Sequence, residues 1–386
     1  MDFALTEQQR AIQESAHKFA CHELAPNAAH WDSTETFPIE TIKRAGEIGF
    51  CGLYTPETLG GLGLSRLDSA IVFEELAMGC TSTAAYLTIH NMVTWMVASW
   101  AHPDVANEWV PAMAVGEKLG SYCLTEPTAG SDASSLKTRA KKQGQTYVLN
   151  GTKAFISGAG ETDVLVVMAR TGESGPKGIS AFLVPATLPG IHYGKKERKM
   201  GWNSQPTRII TFDNVIIPDQ YRLGDEGQGF TLAMKGLDGG RVNIATCAVG
   251  TAQAALNAAH RYVHERQQFE HPIAQFQTVQ FRIADMLTTL VTARHMVYLA
   301  AWKLDTRDPD ATTYCAMAKR FATDTSFNVA NEALQLFGGY GYLKDFPVER
   351  HVRDARVHQI LEGTNEIMRV IIARRLFTNP TLSMIR

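Results

Sequence analysis

The sequence lacks most of the short motifs that mark common enzyme classes. It contains no GxGxxG and no GxxxxGK[ST], which argues against a Rossmann nicotinamide site and against a P-loop. GxSxG and HExxH are also missing, and the scattered histidines form no pair at metal-ligand spacing, so no metal site is predicted. The chain therefore lacks the minimum parts of the usual hydrolases, metalloenzymes and kinases.

Charge and hydrophobicity exclude further classes. The formal net charge is −2 at pH 7, whereas contact with nucleic-acid phosphates needs a basic surface, so no nucleic acid is predicted as a partner. No apolar run is long enough to cross a bilayer, so no membrane association is predicted. The first residues, Met1 to Arg10, resemble neither a signal peptide nor a transit peptide. We expect a cytoplasmic protein, or a mitochondrial matrix protein whose leader is missing from this chain.

Cysteine is scarce and scattered. No CxxC pair occurs, and the spacing of the cysteines suits neither a zinc site nor a disulfide framework. Free thiols in a reducing compartment are therefore expected at all six positions, namely Cys21, Cys51, Cys80, Cys123, Cys247 and Cys315.

What is present divides into three segments with different patterns. Residues 1–118 predict helices, with Thr6 before the first one and a long apolar stretch over 70–100. Residues 119–226 predict an antiparallel β-domain with strands near 164–168, 181–184 and 209–217. Within it, Asn150-Gly151 predicts a hairpin turn, because this pair accepts positive φ angles. Residues 227–386 predict a helical bundle with long helices over 232–264, 279–304 and 312–337.

Two segments carry unusual combinations of small and polar residues. Residues 122–132, YCLTEPTAGSD, place hydroxyls and a glycine beside a strand, where backbone N–H groups can approach a flat, polar ligand or a phosphate; a polar loop without a ligand is the alternative. Residues 335–342, QLFGGYGY, place three glycines at a helix end. One helix cap seldom needs three glycines, which favours close approach of a ligand or another chain.

A third segment, QILEGTNE over residues 359–366, carries a carboxylate in an unusual position. Thr364 or Asn365 can cap the following helix, and Glu366 suits its first turn. Capping does not explain Glu362, which stands between apolar residues and Gly363, where an unpaired charge is costly to bury. A carboxylate in such a pocket would have a raised pKa and could act as a general base.

Together these segments resemble the acyl-CoA dehydrogenase family. The runs CLTEPTAGSDASS (123–135) and QLFGGYGYLKDFPVERHVRD (335–354) match the two signatures of that family, each with many fixed residue types at fixed spacing. The similarity covers nearly the whole chain. Shorter runs resemble the members that act on isobutyryl-CoA: GLSRLDSA (63–70), GCTSTAAY (79–86), KAFISGAGE (153–161), GWNSQPTR (201–208) and RVHQILEGTNE (356–366).

The resemblance implies an α+β fold and a site for FAD. The expected domains are an N-terminal helical domain, a middle antiparallel β-domain and a C-terminal four-helix bundle, with boundaries near 118 and 226. Many relatives have Trp and Thr where this chain has Phe155 and Ser157. The residues implied in FAD binding are Tyr122, Cys123, Leu124, Thr125, Glu126, Pro127, Thr128, Ala129, Gly130, Ser131, Phe155, Ile156, Ser157, Arg266, Phe276, Gln277, Gln335, Leu336, Phe337, Gly338, Gly339, Thr364, Asn365 and Glu366.

The resemblance also implies a catalytic base and a substrate site. Glu362 falls on the base of most family members, whereas a minority carry the base at the position of Gly240, where this chain has no carboxylate. The implied substrate-side residues are Ser131, Asp238, Gly239, Gly240, Arg241 and Arg374.

The implied reaction is α,β-dehydrogenation of a short, branched acyl-CoA, with electron-transfer flavoprotein as the electron acceptor and a homotetramer as the assembly. Three alternatives remain open: the same chemistry on 2-methylbutyryl-, butyryl- or isovaleryl-CoA, a flavin oxidase, and a non-catalytic flavin-binding partner protein.

Overall fold

The N-terminal third of the protein is helical. A computed structural model describes residues 4–378. Its first six helices are α1 (Glu7–Phe19), α2 (Ala28–Thr34), α3 (Ile39–Glu47), α4 (Arg66–Gly79), α5 (Thr81–Trp100) and α6 (Pro103–Ala114). The predicted start at Thr6 is confirmed, because its hydroxyl accepts a hydrogen bond from the Gln9 N–H and the Gln9 side chain accepts one in return from the Thr6 N–H.

A sheet of eight strands follows. The strands are β1 (Gly120–Cys123), β2 (Arg139–Gln143), β3 (Thr146–Ser157), β4 (Val164–Arg170), β5 (Ile179–Pro185), β6 (Ile191–Tyr193), β7 (Thr207–Pro218) and β8 (Arg222–Leu223). The main path runs β6-β7-β3-β2-β4-β5-β8, and β1 pairs with β4. The strands predicted near 164–168, 181–184 and 209–217 are β4, β5 and β7.

The sheet is mixed rather than purely antiparallel as the sequence suggested. Most neighbours are antiparallel, but β1 runs parallel to β4 over Gly120 to Cys123, and β2 is parallel to β4 at Arg139. Parallel partners need a long connection, and here the segment between β1 and β4 includes the whole β2–β3 hairpin. No local turn signal could have revealed that pairing.

The hairpin turn predicted at Asn150-Gly151 is wrong. Both residues lie inside β3, and the β2–β3 turn is at Gly144 instead, with φ 62°. The register against β7 shifts between Leu149 and Gly151, which marks a β-bulge. Gly151 has φ 149°, and a Cβ there would lie 2.6 Å from Cα of Thr138. The glycine therefore serves close backbone approach within a strand, not a turn.

Helices return in the last third of the chain. They are α7 (Gly229–Glu265), α8 (Gln277–Asp305), α9 (Ala311–Phe337), α10 (Val348–His358) and α11 (Asn365–Thr378), with a small hairpin of β9 (Gln267–Gln268) and β10 (His271–Pro272) after α7. The three long helices predicted from the sequence are confirmed. None of the helices between residues 4 and 378 is long and apolar enough to cross a membrane. All six cysteines lie in this range and are free thiols.

Helix α7 joins the three parts of the fold. It packs against α4 and α5, against β5 of the sheet, and against α8 and α9 of the bundle. Its approach to α4 is so close that a Cβ on Gly250 would lie 2.2 Å from the Glu74 carbonyl oxygen, which only glycine permits. The N-terminal half of α7 therefore lies where helices, sheet and bundle meet.

Candidate active site

Glu362 stands on a turn between α10 and α11, formed by residues 361–364. Its φ is 55° and that of Gly363 is 88°, so two consecutive residues adopt left-handed backbone conformations. For a glutamate this conformation is costly and is retained only where the surroundings enforce it. Thr364 accepts a hydrogen bond from the Ile367 N–H at 3.3 Å, which confirms that it can cap α11.

The carboxylate of Glu362 packs against the backbone of α7 at Gly240. A Cβ placed on Gly240 would lie 2.5 Å from Oε2 of Glu362 and 3.0 Å from its carboxyl carbon. Oε2 is buried without a hydrogen-bond partner. Leu361 packs against the buried cluster of Ala85, Trp202 and Ile244 and so contributes to the apolar surroundings predicted from the sequence. Ile360 is 51% exposed and does not.

The environment of Glu362 alters its proton affinity. Burial raises the pKa of Glu362 to about 7, against the lowering effect of the Arg241 and Lys319 charges. A buried carboxylate oxygen with no hydrogen-bond donor can accept a proton from a bound ligand. Because its pKa is close to neutrality, Glu362 is suited to general base chemistry.

Arg241 connects this turn to α7. Its Nε donates to the Glu362 carbonyl at 3.4 Å, and its Nη1 donates to Asp238 at 2.6 Å. Asp238 also accepts a hydrogen bond from Thr312 at 2.6 Å. Of the residues predicted on the substrate side, Arg241 therefore holds the backbone that carries Glu362, and Asp238 holds Arg241.

Tyr122 brings the end of β1 to the same place. Its hydroxyl donates to the Ala233 carbonyl of α7 at 3.5 Å. Burial raises the pKa of Tyr122 well above its usual value, and the negative charge of Glu362 raises it further. The loop over residues 122–131 thus begins within electrostatic reach of Glu362.

That loop and the end of β3 form one surface. The Ala154 N–H donates to the Thr125 carbonyl at 2.9 Å, which joins the loop to β3. Phe155 has φ 58° and is 69% exposed. Ser157 is half-buried, and its carbonyl accepts from Ser121 at 2.7 Å. An exposed aromatic face next to hydroxyl-bearing loops fits the flat, polar-edged ring of a flavin.

Some residues predicted at the flavin point away from this surface. The side chains of Cys123, Leu124, Ala129 and Ile156 are buried in the core, so only their backbone groups are available to a ligand. Glu126 is also buried and accepts from Lys153 at 2.8 Å, Thr138 N–H at 2.9 Å and Lys137 N–H at 2.6 Å. Its carboxylate braces the loop rather than facing outwards.

A second group of predicted residues forms a separate cavity of about 480 Å³. Arg266, at the end of α7, lies 5.4 Å from the ring centroid of Tyr340. The Cβ positions of Gly338 and Gly339 face open space, with nothing within 4 Å. Phe276 and Gln277 lie at the start of α8 nearby. The cavity is lined by Arg266, Gln335, Leu336, Phe337, Gly338 and Gly339, among others, and a cation beside open glycine backbone fits a dinucleotide phosphate.

The two groups lie far apart in one chain. Because an α-helix rises about 1.5 Å per residue, the 26 residues from Gly240 to Arg266 along α7 span roughly 39 Å. The cavity therefore lies at the end of α7 opposite to Ala233, which Tyr122 of the first group contacts.

The remaining predicted residues have different surroundings. The Asn365 side chain is buried and bonded to Thr323 and Asp324, while Glu366 is exposed on the first turn of α11. Arg374 is also exposed, nine residues further along α11 and so roughly 14 Å from Asn365. The structure does not bring Arg374 beside Glu362.

Sequence reasoning missed several residues near Glu362. Tyr54 is buried, its hydroxyl accepts from Asn243 at 3.1 Å, and the Glu362 charge contributes to its raised pKa, whose main cause is burial. The Arg66 guanidinium stacks on the Tyr54 ring at 3.6 Å, with Nη1 buried and unpartnered. Lys319 is buried beneath the 361–364 turn. No motif marks these residues, since they meet only through packing of α4, α7 and α9.

Comparison with known proteins gives matches over nearly the whole chain. Models of the N-terminal, middle and C-terminal domains of acyl-CoA dehydrogenase match residues 6–117, 121–215 and 227–377. The chain is 51% identical to mitochondrial isobutyryl-CoA dehydrogenase of Bos taurus, over 96% of this chain and 89% of that protein.

Two solved structures share the fold. Butyryl-CoA dehydrogenase from Megasphaera elsdenii superposes with a TM-score of 0.95 at 39% identity, covering 98% of this chain and 100% of that one. A chain in a solved structure described as the electron transferring flavoprotein of Acidaminococcus fermentans superposes with a TM-score of 0.96 at 40% identity. The match covers 98% of this chain and 100% of that one.

The chain belongs to the acyl-CoA dehydrogenase family. It is therefore an FAD-dependent oxidoreductase that acts on acyl-CoA, and the resemblance found in the sequence is confirmed.

Proposed function

We propose that the protein dehydrogenates isobutyryl-CoA to methacrylyl-CoA, a step of valine catabolism, with Glu362 as the base. The observation that carries this proposal is the buried, unpartnered Oε2 of Glu362 lying against Gly240. An acyl chain placed beside that oxygen would present its α-hydrogen to a carboxylate whose pKa is about 7.

The protein's own residues perform three tasks in this reaction. Glu362 removes the α-proton and carries it on a carboxyl oxygen. The Glu362 backbone N–H donates to the thioester oxygen, which stabilises the negative charge that develops there. Arg241 and the left-handed turn hold both groups in place, so that base and N–H act on one bound thioester. The 122–131 loop and the Phe155 face would hold FAD, which would supply the acceptor for the β-hydride and so for the two electrons lost as the double bond forms.

The residues beside the proposed base support a short substrate. The absence of a side chain at Gly240 leaves room for the Glu362 carboxylate, whose Oε2 would lie 2.5 Å from a Cβ placed there. Beyond Gly239 the space is taken by Arg66, because a Cβ on that glycine would lie 2.6 Å from Nη1. A charged guanidinium group stacked on Tyr54 disfavours the binding of a long aliphatic chain at this position. The 51% identity to an isobutyryl-CoA dehydrogenase favours the same substrate.

The separation of the two cofactor regions supports a shared FAD site. The flavin would lie on the 122–131 loop and Phe155 of one protomer, and the dinucleotide end in the Arg266 cavity of a second. A homo-oligomer, tetrameric as is typical of the family, follows from that arrangement. Electron-transfer flavoprotein is the proposed acceptor. The compartment is proposed to be the cytoplasm, or the mitochondrial matrix as for the bovine relative.

The test is an anaerobic titration of the yellow protein with four thioesters in parallel. Isobutyryl-CoA is expected to bleach the oxidised flavin band at the lowest concentration, ahead of 2-methylbutyryl-, butyryl- and isovaleryl-CoA. Preferential bleaching by another thioester would keep the chemistry and replace the substrate. Rapid oxygen consumption without a carrier protein would identify an oxidase, and a flavin that no thioester bleaches would leave only a binding protein.

A further inference from the structure

Lys319 is a buried cation directly beneath the turn that carries Glu362. It lies on α9, and its side chain has no exposed surface. Its Nζ donates to the Gly363 carbonyl at 2.8 Å and to Oδ1 of Asn365 at 3.0 Å. Both acceptors are neutral oxygens, and both belong to residues within three positions of Glu362.

The second acceptor is itself rigidly held. Asn365 donates to Thr323 at 3.0 Å and to Asp324 at 2.8 Å, both on α9. Lys319 and this amide therefore fasten the start of α11 and the 361–364 turn to a single helix. Two cations hold consecutive carbonyl groups of the turn. Arg241 donates to the Glu362 carbonyl, and Lys319 donates to the Gly363 carbonyl.

We propose that Lys319 is a positioning residue for the reaction: its ammonium group fixes the orientation of the Glu362 carboxylate and backbone N–H, and its positive charge favours the ionised base. The inference rests on the proposed role of Glu362 and deepens it. A purely structural role would not require a charge, because burying an ammonium group costs more than burying an apolar side chain of the same length.

Lys319 and Glu362 influence each other's proton affinity. Burial lowers the pKa of Lys319 to about 7, while the negative charge of Glu362 acts to raise it. In return, the Lys319 charge acts to lower the pKa of Glu362, which burial raises.

The other charged groups facing Lys319 act in both directions. Arg241, on α7, lowers its pKa, whereas Asp324 on α9 and Glu366 on α11 raise it. His358, at the end of α10, stays neutral, because burial and the Lys319 charge lower its pKa to about 3. The nearby Glu362 is thus the largest of the charges that favour the ammonium form.

Two variants separate charge from hydrogen bonding. Lys319→Met removes both, whereas Lys319→Gln removes the charge and retains an N–H donor towards the Gly363 carbonyl. For each, the rate of anaerobic flavin reduction by isobutyryl-CoA is measured against pH. The protonation of Glu362 is followed independently by infrared difference spectra referenced to Glu362→Gln.

Both variants are expected to move the pH midpoint of flavin reduction, and the infrared midpoint of Glu362, upward by roughly one pH unit. Lys319→Met is expected to lose more of the maximal rate than Lys319→Gln. Only the side-chain amide introduced by Lys319→Gln can still donate to the Gly363 carbonyl and hold the turn. Thr323→Val, which loosens Asn365 but keeps the charge, is expected to leave both midpoints unchanged.

Unchanged midpoints in both Lys319 variants, with only a lower Tm, would overturn the proposal. If neither Lys319 variant folds with FAD, an upward shift of the midpoints in Thr323→Val would also overturn it, because the charge is intact there. The infrared midpoint needs no turnover. A wild-type flavin that no thioester bleaches would therefore defeat the proposed function without deciding the role of Lys319.

Discussion

Gly240 on α7 and Glu362 on the turn after α10 share the same space: a Cβ on residue 240 would lie 2.5 Å from Oε2 of Glu362. The Glu362 carboxylate thus rests at the position that carries the base in a minority of the family. Glycine at 240 is therefore a condition for the observed position of Glu362.

Gly240→Ala should displace the carboxylate without removing it. We expect flavin reduction to fall by about 100-fold, because a displacement of roughly 1 Å at the reacting atoms has that effect. FAD content should be unchanged. Gly236→Ala is the matched control one turn earlier, where the new methyl meets the Sδ atom of Met96 at 3.1 Å, the movable part of a side chain. Equal rates in the two variants would contradict the account.

Glu362→Gln should change the pH dependence of stability. The pKa of Glu362 rises from 4.5 to about 7 on folding, so its contribution is fully present below pH 4.5 and is lost as the pH rises towards 7. Residue 362 cannot ionise in the variant. The stability advantage of the variant over wild type should therefore increase between pH 5 and pH 8. The gain should be on the order of 1–3 kcal/mol.

Unfolding midpoints measured at both pH values with saturating FAD provide the check for Glu362→Gln. Glu265→Gln, at an exposed carboxylate, serves as the control and should show no such difference. If the Glu362→Gln advantage is the same at pH 5 and pH 8, Glu362 is not held with a raised pKa.

Lys153 and Glu126 form a buried ion pair under the 122–131 loop, with Nζ to Oε1 at 2.8 Å and side-chain exposures of 0% and 4%. Lys153 also donates to the Leu124 carbonyl at 2.9 Å. Lys153→Met leaves a buried carboxylate without its cation, so we expect a loss of about 3–5 kcal/mol in stability together with weaker FAD retention.

The double variant Lys153→Met/Glu126→Gln should lose less than the sum of the two single variants, because it leaves no uncompensated charge. Denaturant unfolding of the four proteins measures this coupling. Strict additivity would show that the pair does not brace the loop.

Arg66 should limit the length of the acyl chain. Arg66→Ala removes the guanidinium from Tyr54 and Gly239 and opens space beyond the proposed acyl site. We expect the kcat/KM ratio of hexanoyl-CoA to isobutyryl-CoA to rise about tenfold or more, since one methylene in a pocket is worth about 1–3 kcal/mol. Arg66→Lys keeps the charge and should change the ratio less. An unchanged ratio in Arg66→Ala would place the chain elsewhere.

The elements that could be predicted from the sequence are those with local signals. The β4 and β5 strands are continuous apolar runs, and α7 and α9 show long helical periodicity, so their existence follows from pattern alone. The prediction of a turn at Asn150-Gly151 was wrong because a positive φ occurs in a β-bulge as well as in a turn. Only the close approach of the Thr138 backbone distinguishes the bulge from the turn. The parallel pairing of β1 depends on a strand 44 positions away, as in Gly120 with Val164, and leaves no local trace.

The site residues also differ in whether the sequence carries a local signal for them. Glu362 could be found because an acidic residue beside Leu361 and Gly363 has no simple structural explanation. Lys319 could not, because a lysine within an alanine-rich helix is typical of an exposed position. Its burial arises only when α9 packs under the 361–364 turn.

The role of Glu362 is tested by anaerobic stopped-flow reduction of the bound flavin by isobutyryl-CoA in wild type and in Glu362→Gln. Rapid bleaching is expected in wild type. Glu362→Gln should remain a yellow, thioester-binding protein whose flavin is reduced several orders of magnitude more slowly. Bleaching of Glu362→Gln at the wild-type rate would contradict the assignment of Glu362 as the base.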